Sequence, residues 1–340
     1  MPTLKRIGLV ALLLGFAQVV FGAIVRITGS GMGCGDHWPD CFGSFTPAHT
    51  GPTLLVEISH RYGAAALSLA IVALVVAAWL KRREPGVAGP GGVLRASVLA
   101  IALVVVAALF GAVTVKLALH PWVVVTHLAI AMALLAVLVV VVVRAGGFGA
   151  LAAGEPSGRT LRAARAAAGL TFLALVFGAL TANTPGAPLS CQGFPLCGVT
   201  RDGARLRDHV SVSLAVAAQA NGAPRVIHFT HRIIAFLLLG HLIGVAIGVR
   251  KRAESRPIRV AAWTALGIVT LQIVVAAAMV EMHLPASLRS IHQAIGTALW
   301  ISVVALAALA SGLRYMNDIE RIVYESPSRG EFATPEGVST

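Results

Sequence analysis

Eight runs of apolar residues, each long enough to cross the hydrocarbon core of a bilayer, leave this chain few folds to choose from. They fall at roughly 7 to 25, 54 to 80, 95 to 116, 121 to 143, 163 to 183, 226 to 249, 258 to 280 and 287 to 312. A helix of about 20 residues is about 30 Å long, which matches the thickness to be crossed. Lipid offers no partner to a backbone N–H or C=O, so unbroken runs of this length predict helices that satisfy their own backbone. The composition agrees: 57% hydrophobic and 12% charged residues, with a mean hydropathy of +0.84, exclude a soluble, disordered or fibrous chain.

A net charge of +13 would suggest nucleic acid as a partner in a soluble protein. Here the cations lie in short tracts between the apolar runs, as topology determinants do, and membrane lipid is the expected environment. Lys5 and Arg6, Lys81 to Arg83 with Arg95, Arg144 with Arg159, Arg162 and Arg165, Arg250 to Arg252 with Arg256 and Arg259, and Arg314, Arg321 and Arg329 place 18 of the 27 cations on one side. The positive-inside rule makes that side cytoplasmic, with both termini there and the loops at 26 to 53 and 184 to 225 outside a cell (inner) membrane. The basic start of the first run resembles a signal peptide, but no small-residue cleavage site follows, and the segment is expected to stay as an anchor.

The chain also repeats itself. GAIVRITGSGMGCGDHWPDC at 22 to 41 is echoed by GALTANTPGAPLSCQGFPLC at 178 to 197, EISHRYGAAAL from Glu57 by HFTHRIIAFL from His228, and HPWVVVTHLAIAMALLAV from His120 by LPASLRSIHQAIGTALWI from Leu284. Four spans followed by four in the same orientation form a parallel repeat about an axis along the membrane normal. The expected fold is an all-α integral membrane protein of two pseudo-symmetric four-helix bundles, residues 1–145 and 146–315, followed by a flexible cytoplasmic tail at 316–340.

Cysteines and histidines obey the repeat. Cys34 and Cys41 share one loop and Cys191 and Cys197 the other, so two separate disulfides are the simplest pairing, with a structural zinc or iron–sulfur site as the rival. His60, His127, His231 and His292 occupy equivalent positions about 5 to 10 Å below the outer surface, at 1.5 Å per residue. A ring nitrogen in lipid must be paired or ligated. His60 can face His127 in one bundle and His231 can face His292 in the other, which is the arrangement that bis-histidine ligation of haem iron requires. Hydrogen bonds to neighbouring helices are the alternative. Arg61 and Arg232 follow two of these histidines and reach the interface, to pair with haem propionates or with lipid headgroups. His37, His49, His120, His209, His228, His241 and His283 lack a repeated partner and read as loop or satisfied polar residues.

VRITGSGMGCGDHWPDC at 25 to 41, EISHR at 57 to 61, HLAIA at 127 to 131, THR at 230 to 232 and IHQAIG at 291 to 296 resemble, in order and spacing, the haem A synthase family of bacteria and mitochondria. The likeness runs to about residue 315. It implies a membrane oxidoreductase that converts the C8 methyl of haem O into the formyl of haem A, with haem O synthase as donor and a terminal oxidase or its assembly factors as acceptor; a homo-oligomer is compatible with it. By the same resemblance, His60 and His127 flank the substrate haem, His231 and His292 ligate haem b, and Glu57 is the acidic residue of the substrate half. Cys34 and Cys41 match the family's paired loop cysteines, and Cys191 and Cys197 a second pair that part of the family has. His37, before Trp38 and Pro39, departs from the family pattern.

The repeat sets Glu57 opposite His228, each three residues before a candidate ligand, and i and i+3 share a helix face. Glu57 is therefore expected to accept a proton or to stabilise positive charge at the methyl carbon, with an ion pair to Arg61 as the alternative. Two other functions fit parts of the pattern. A di-haem b cytochrome exchanging electrons with quinone needs haems near both membrane faces, whereas all four histidines lie near one, and a transporter needs polar or broken helices at mid-membrane.

Overall fold

The computed structural model describes residues 1–45, 51–153, 156–191, 193–195, 197 and 222–311. Among them eight helices are long and apolar enough to cross a membrane: α1 Pro2–Ile27, α2 Pro52–Leu80, α3 Val93–Lys116, α4 Pro121–Arg144, α5 Gly158–Asn183, α6 Ala223–Lys251, α7 Arg256–Glu281 and α8 Ala286–Ser311. The protein is a multi-pass membrane protein with the expected all-helical fold. Helix boundaries lie outside the apolar runs because capping chemistry sets them. Pro2, Pro52 and Pro121 open α1, α2 and α4 at the position where a missing N–H costs nothing. Ser157 accepts from the Thr160 N–H and starts α5 several residues before its apolar run, through a segment carrying Arg159 and Arg162. Position 312 and the tail at 316–340 lie outside the described residues, as do Arg314, Arg321, Arg329, His49 and His209.

Each half closes as a ring of neighbours, α1 to α4 in the first and α5 to α8 in the second, and the halves meet through α4 against α8, α1 against α8 and α4 against α5. This pairing is its own image when the halves are exchanged, as the repeat requires. The turns repeat too. Ala118 and Leu119 between α3 and α4, and His283 and Leu284 between α7 and α8, all hold φ between 48° and 64°. Four non-glycine residues in left-handed conformation, at about 1 kcal/mol or more each, persist only where packing on both sides fixes the turn.

The centre of the molecule is the α4–α8 seam, where Leu135, Leu138 and Val142 pack with Val303, Leu306 and Leu309 out of contact with lipid. Trp300 of α8 donates its indole N–H to the Met132 carbonyl of α4 at 2.8 Å and lies 5.7 Å from the Phe172 ring of α5. On the periphery, Leu69, Leu80, Leu109, Leu237 and Val274 are exposed, as lipid-facing residues are. At the basic end, Glu254 is buried and accepts from the Ser157 N–H and the Thr160 hydroxyl, tying the α6–α7 link to the start of α5.

Trp300→Phe keeps the ring packing and removes only the bond between the halves. It is expected to lower stability by about 1 kcal/mol, the usual worth of an interhelical hydrogen bond in a membrane. Unfolding titrations in detergent read this directly; an unchanged midpoint would mean that the bond does not hold the halves together.

Candidate functional site

Both cysteine loops lie at the end of the bundle opposite the basic links. Cys34–Cys41 and Cys191–Cys197 form two separate disulfides with Cα–Cα distances of 5.0 and 4.6 Å. No cysteine is free, and among the described residues no group of three or more His, Cys, Asp or Glu converges, so the zinc and iron–sulfur alternatives find no donor set.

Beneath each loop the second helix of the half supplies an anchor. In the first half Glu57 is only 4% exposed. One of its oxygens accepts the Cys34 N–H at 2.9 Å and the other pairs with Arg61. The remaining donors of Arg61 reach the carbonyls of His37, Pro39 and Asp40. In the second half Arg232 donates to the carbonyls of Cys191, Gly193 and Pro195. Its Nε donates to His228 Nε2 at 3.3 Å, which leaves the proton on Nδ1, and Nδ1 donates to the Ala187 carbonyl at 2.9 Å. Arg61 and Arg232, expected at propionates or headgroups, are thus engaged by loop carbonyls. Glu57 occupies the ion pair with Arg61 that stood as the alternative to a side chain turned toward His60. At the exposed rim of the first loop, Asp36 accepts from Lys116 of α3 at 3.3 Å, and that hydrogen bond and charge hold its carboxyl below the usual carboxylate range.

Below the anchors lie the four histidines. His60 and His231 are each the eighth residue after the first of their helix, and His127 and His292 each the sixth, so the pairs sit about 12 and 9 Å below their helix starts. For His60 and His231 that is slightly deeper than the 5 to 10 Å expected, because α2 and α6 begin before their apolar runs do, whereas His127 and His292 fall within it. His60 and His127 are close enough to interact electrostatically, and so are His231 and His292, which brings together the two expected pairs. Each span-two ring lies against a glycine at the matching position of the first helix of its half. A Cβ on Gly22 would come within 3.1 Å of His60 Cε1, and one on Gly178 within 2.9 Å of His231 Cε1.

Two glutamines that the sequence reading passed over complete the site. Gln18 donates its amide to the His60 ring, at 3.0 and 3.3 Å from its two nitrogens, and to the His60 carbonyl at 2.8 Å. Gln272 lies 3.2 Å from His292 Nε2 and donates to the His292 carbonyl at 3.0 Å. The repeat relates position 18 to Ala174 and position 272 to Ala107, which have no side chain that could bond to His231 or His127. Each half therefore has one glutamine hydrogen-bonded to a ring of its histidine pair, on opposite members of the pair. The signal was available: a lone amide in an apolar run is costly without a partner.

The Nδ1 atoms of His127, His231 and His292 and the Oε1 of Gln272 are buried with no hydrogen-bond partner among the described residues. A cavity of about 190 Å³ opens in the second half, bordered by His231, His292, Gln272, Phe236 and Met279. In the second half, two imidazoles that each keep an unengaged nitrogen border one largely apolar cavity, with a glycine allowing close approach to His231, and this fits the axial ligation of a haem. Of the unpaired histidines, His241 donates to the Ala163 carbonyl at 2.9 Å and His37 packs on Phe42 with ring centroids 5.2 Å apart, as satisfied polar and loop residues.

The profile of the COX15-CtaA family, described as cytochrome oxidase assembly protein, matches residues 5–304. The heme A synthase of Alkalihalophilus pseudofirmus is 27% identical over 255 residues, 72% of this chain and 75% of that protein. That of Lysinibacillus sphaericus is 43% identical over 75 residues, 22% of each. The chain spans only 19% to 27% of the length of this and two other heme A synthases, from Shouchella clausii and Geobacillus kaustophilus. A protoheme IX farnesyltransferase of Thermus thermophilus is 42% identical over 66 residues, 19% of this chain and 10% of that protein.

Gly178→Ala is expected to displace the His231 ring and weaken haem retention about tenfold or more, the cost of misplacing a ligand. Gly169→Ala, whose Cβ would meet nothing within 4 Å, is the control. Pyridine haemochrome content of the purified proteins measures both; equal content in Gly178→Ala and the control would separate the glycine from the site.

Proposed function

Because the chain belongs to the cytochrome oxidase assembly protein family, we propose that it is a haem A synthase, an oxidoreductase that converts the C8 methyl of haem O into the formyl of haem A. The observation that carries this reading is the pair of imidazole pairs at matched depth, beneath two loop anchors that differ by one carboxylate. In this reading residues 1–145 are the substrate half, where His60 and His127 orient haem O, and residues 146–315 are the cofactor half, where His231 and His292 hold haem b. Haem b, when bound, supplies one-electron redox chemistry to the reaction.

The protein's own groups do the rest. Oxidising a methyl group through the alcohol to a formyl removes protons as well as electrons, and the carboxylate of the substrate half is Glu57. Paired with the Arg61 guanidinium and accepting the Cys34 N–H, it is placed to take up a proton or to stabilise positive charge at the carbon. Gln18 and Gly22 fix the His60 ring, and Arg61 fixes the loop that covers it. Arg61 and Arg232 act on the propionate edge through the loops they hold.

The distribution of Lys and Arg supports a cell-membrane topology with both termini cytoplasmic and the disulfide loops outside. The segment shared with a protoheme IX farnesyltransferase supports a haem O synthase as the donor, and the family description supports a terminal oxidase or its assembly machinery as the acceptor. A homo-oligomer in the membrane is consistent with the exposed apolar flanks.

Expression in a host that makes haem O, followed by pigment extraction and chromatography, tests the activity: haem A is expected, and its absence with intact folded protein would overturn the proposal. Glu57→Gln is expected to stop or strongly slow haem A formation and to leave haem O or its hydroxylated product in the extract, while haem b stays near the wild-type level. His228→Gln should be much milder. The substitution also disturbs a buried ion pair, with a cost of up to about 3 kcal/mol, so haem b content and detergent stability are measured alongside. Haem A output equal to wild type would remove Glu57 from the chemistry.

A further inference from the structure

Two guanidiniums at the second-half cavity have no part in the reading above. Arg26 belongs to the first half, at the cysteine-loop end of α1, yet it borders the cavity of the second half. Its NH1 donates to the Ala182 carbonyl of α5 at 3.3 Å, and Ala182 is the residue that the repeat puts in Arg26's own place. Arg289 lies in the first turn of α8, one turn before His292 toward the same end, and borders the same cavity.

Both side chains are half-buried, and they are close enough for their positive charges to repel. Among the described residues neither takes part in an ion pair. Arg232 adds a third positive charge to the cavity wall, because its close partner is the neutral His228; Glu281 is the acid that faces it, at longer range. Cations held near one another below the membrane surface are costly unless an anion answers them.

The first half has no counterpart. The repeat relates Arg26 to Ala182 and Arg289 to Val124, and its loop anchor, Glu57 with Arg61, sums to zero charge. An otherwise matched pair of sites therefore differs in its demand for negative charge.

We propose that Arg26 and Arg289 form a two-point clamp on the two carboxylates at one edge of the haem held by His231 and His292, and that this clamp makes the second-half haem a retained cofactor while the first half exchanges its own. The inference rests on the haem reading of these histidines. Both arginines lie toward the loop end relative to the histidine pair, where the charged edge of a haem meets water, and guanidinium suits carboxylate by shape as well as charge. Because Arg26 comes from the other half, the clamp also crosses the seam between the bundles.

The test follows loss of haem b from purified holoprotein to excess apomyoglobin for wild type, Arg26→Gln, Arg289→Gln, the double variant and Arg289→Lys, together with reconstitution by haem or by haem dimethyl ester. Each Gln variant is expected to release haem b on the order of tenfold faster, the double variant faster still, and Arg289→Lys close to wild type. Wild type is expected to prefer haem to its ester, and the double variant to accept both alike. Wild-type release rates in the double variant, or equal binding of haem and ester by wild type, would overturn the clamp. The ester comparison in wild type needs no variant to fold. His231→Ala and His292→Ala keep the two ideas apart: loss of haem b there with unchanged release in the arginine variants sinks the clamp alone, whereas wild-type haem content in both histidine variants sinks the haem reading itself.

Discussion

Hydrocarbon gives a polar group nothing to bond to, and the rest of this structure follows from how each buried polar group is answered. Backbone groups are answered within eight helices. The Trp300 indole is answered across the seam by the Met132 carbonyl. The loop carbonyls above each site are gathered by one arginine apiece, Arg61 and Arg232. Against this background the histidine pairs stand out: among the described residues three imidazole nitrogens and one amide oxygen there have no hydrogen-bond partner, and the two guanidiniums at the second-half cavity have no carboxylate. A membrane protein carries such groups where something else completes them.

The two halves share a scaffold and differ in chemistry. Glycine beneath the span-two histidine, arginine four residues after the anchor, disulfide in the covering loop and left-handed turn before the last helix all recur. Around the sites the polar differences on that scaffold include Glu57 for His228, Gln18 for Ala174, Ala107 for Gln272, and Ala182 and Val124 for Arg26 and Arg289. Since the backbone is common, these side chains carry the difference between the sites. The exchange of Glu57 for His228 shows how one position serves two ends. A carboxylate accepts the Cys34 N–H, an imidazole donates to the Ala187 carbonyl, and each still meets its arginine, so either loop is held while the local charge changes by one.

Most of the fold was legible in the sequence because hydrophobic length is a coarse and robust signal: eight runs became eight helices. Boundaries were less legible, since Pro52 and Ser157 set helix starts by backbone chemistry that hydropathy does not register. The histidine pairs were legible through the repeat, which converts one ambiguous residue into four at matched depth. What escaped was whatever depends on contact between halves or on a direction in space. Nothing in the spacing of Arg26 says that it borders the other half's cavity. The side chain of Glu57 shares a helix face with His60, yet it is drawn to the Cys34 N–H and Arg61, because two donors outcompete an apolar space for a carboxylate. Arg61 and Arg232 were read as free to meet an outside anion, but covalently closed loops bring carbonyls close enough to occupy them first.

The charge difference between the halves bears on how two chemically similar haems can be kept in order. Haem b, haem O and haem A all carry two carboxylates, so selection by charge alone would favour the positive site for each of them. What a positive site adds is residence time, because breaking charge-assisted hydrogen bonds raises the barrier to leaving. On the proposed division, a site with a neutral anchor and apolar residues in place of the arginines holds its occupant through the histidines and apolar contact, and releases it sooner. A pathway enzyme needs one of each: a haem that stays to move electrons and a haem that arrives as substrate and departs as product. Placing the carboxylate anchor in the neutral site serves the same proposed division, since Glu57 bonded to Arg61 offers a negative charge to the proposed chemistry without adding net charge to the site.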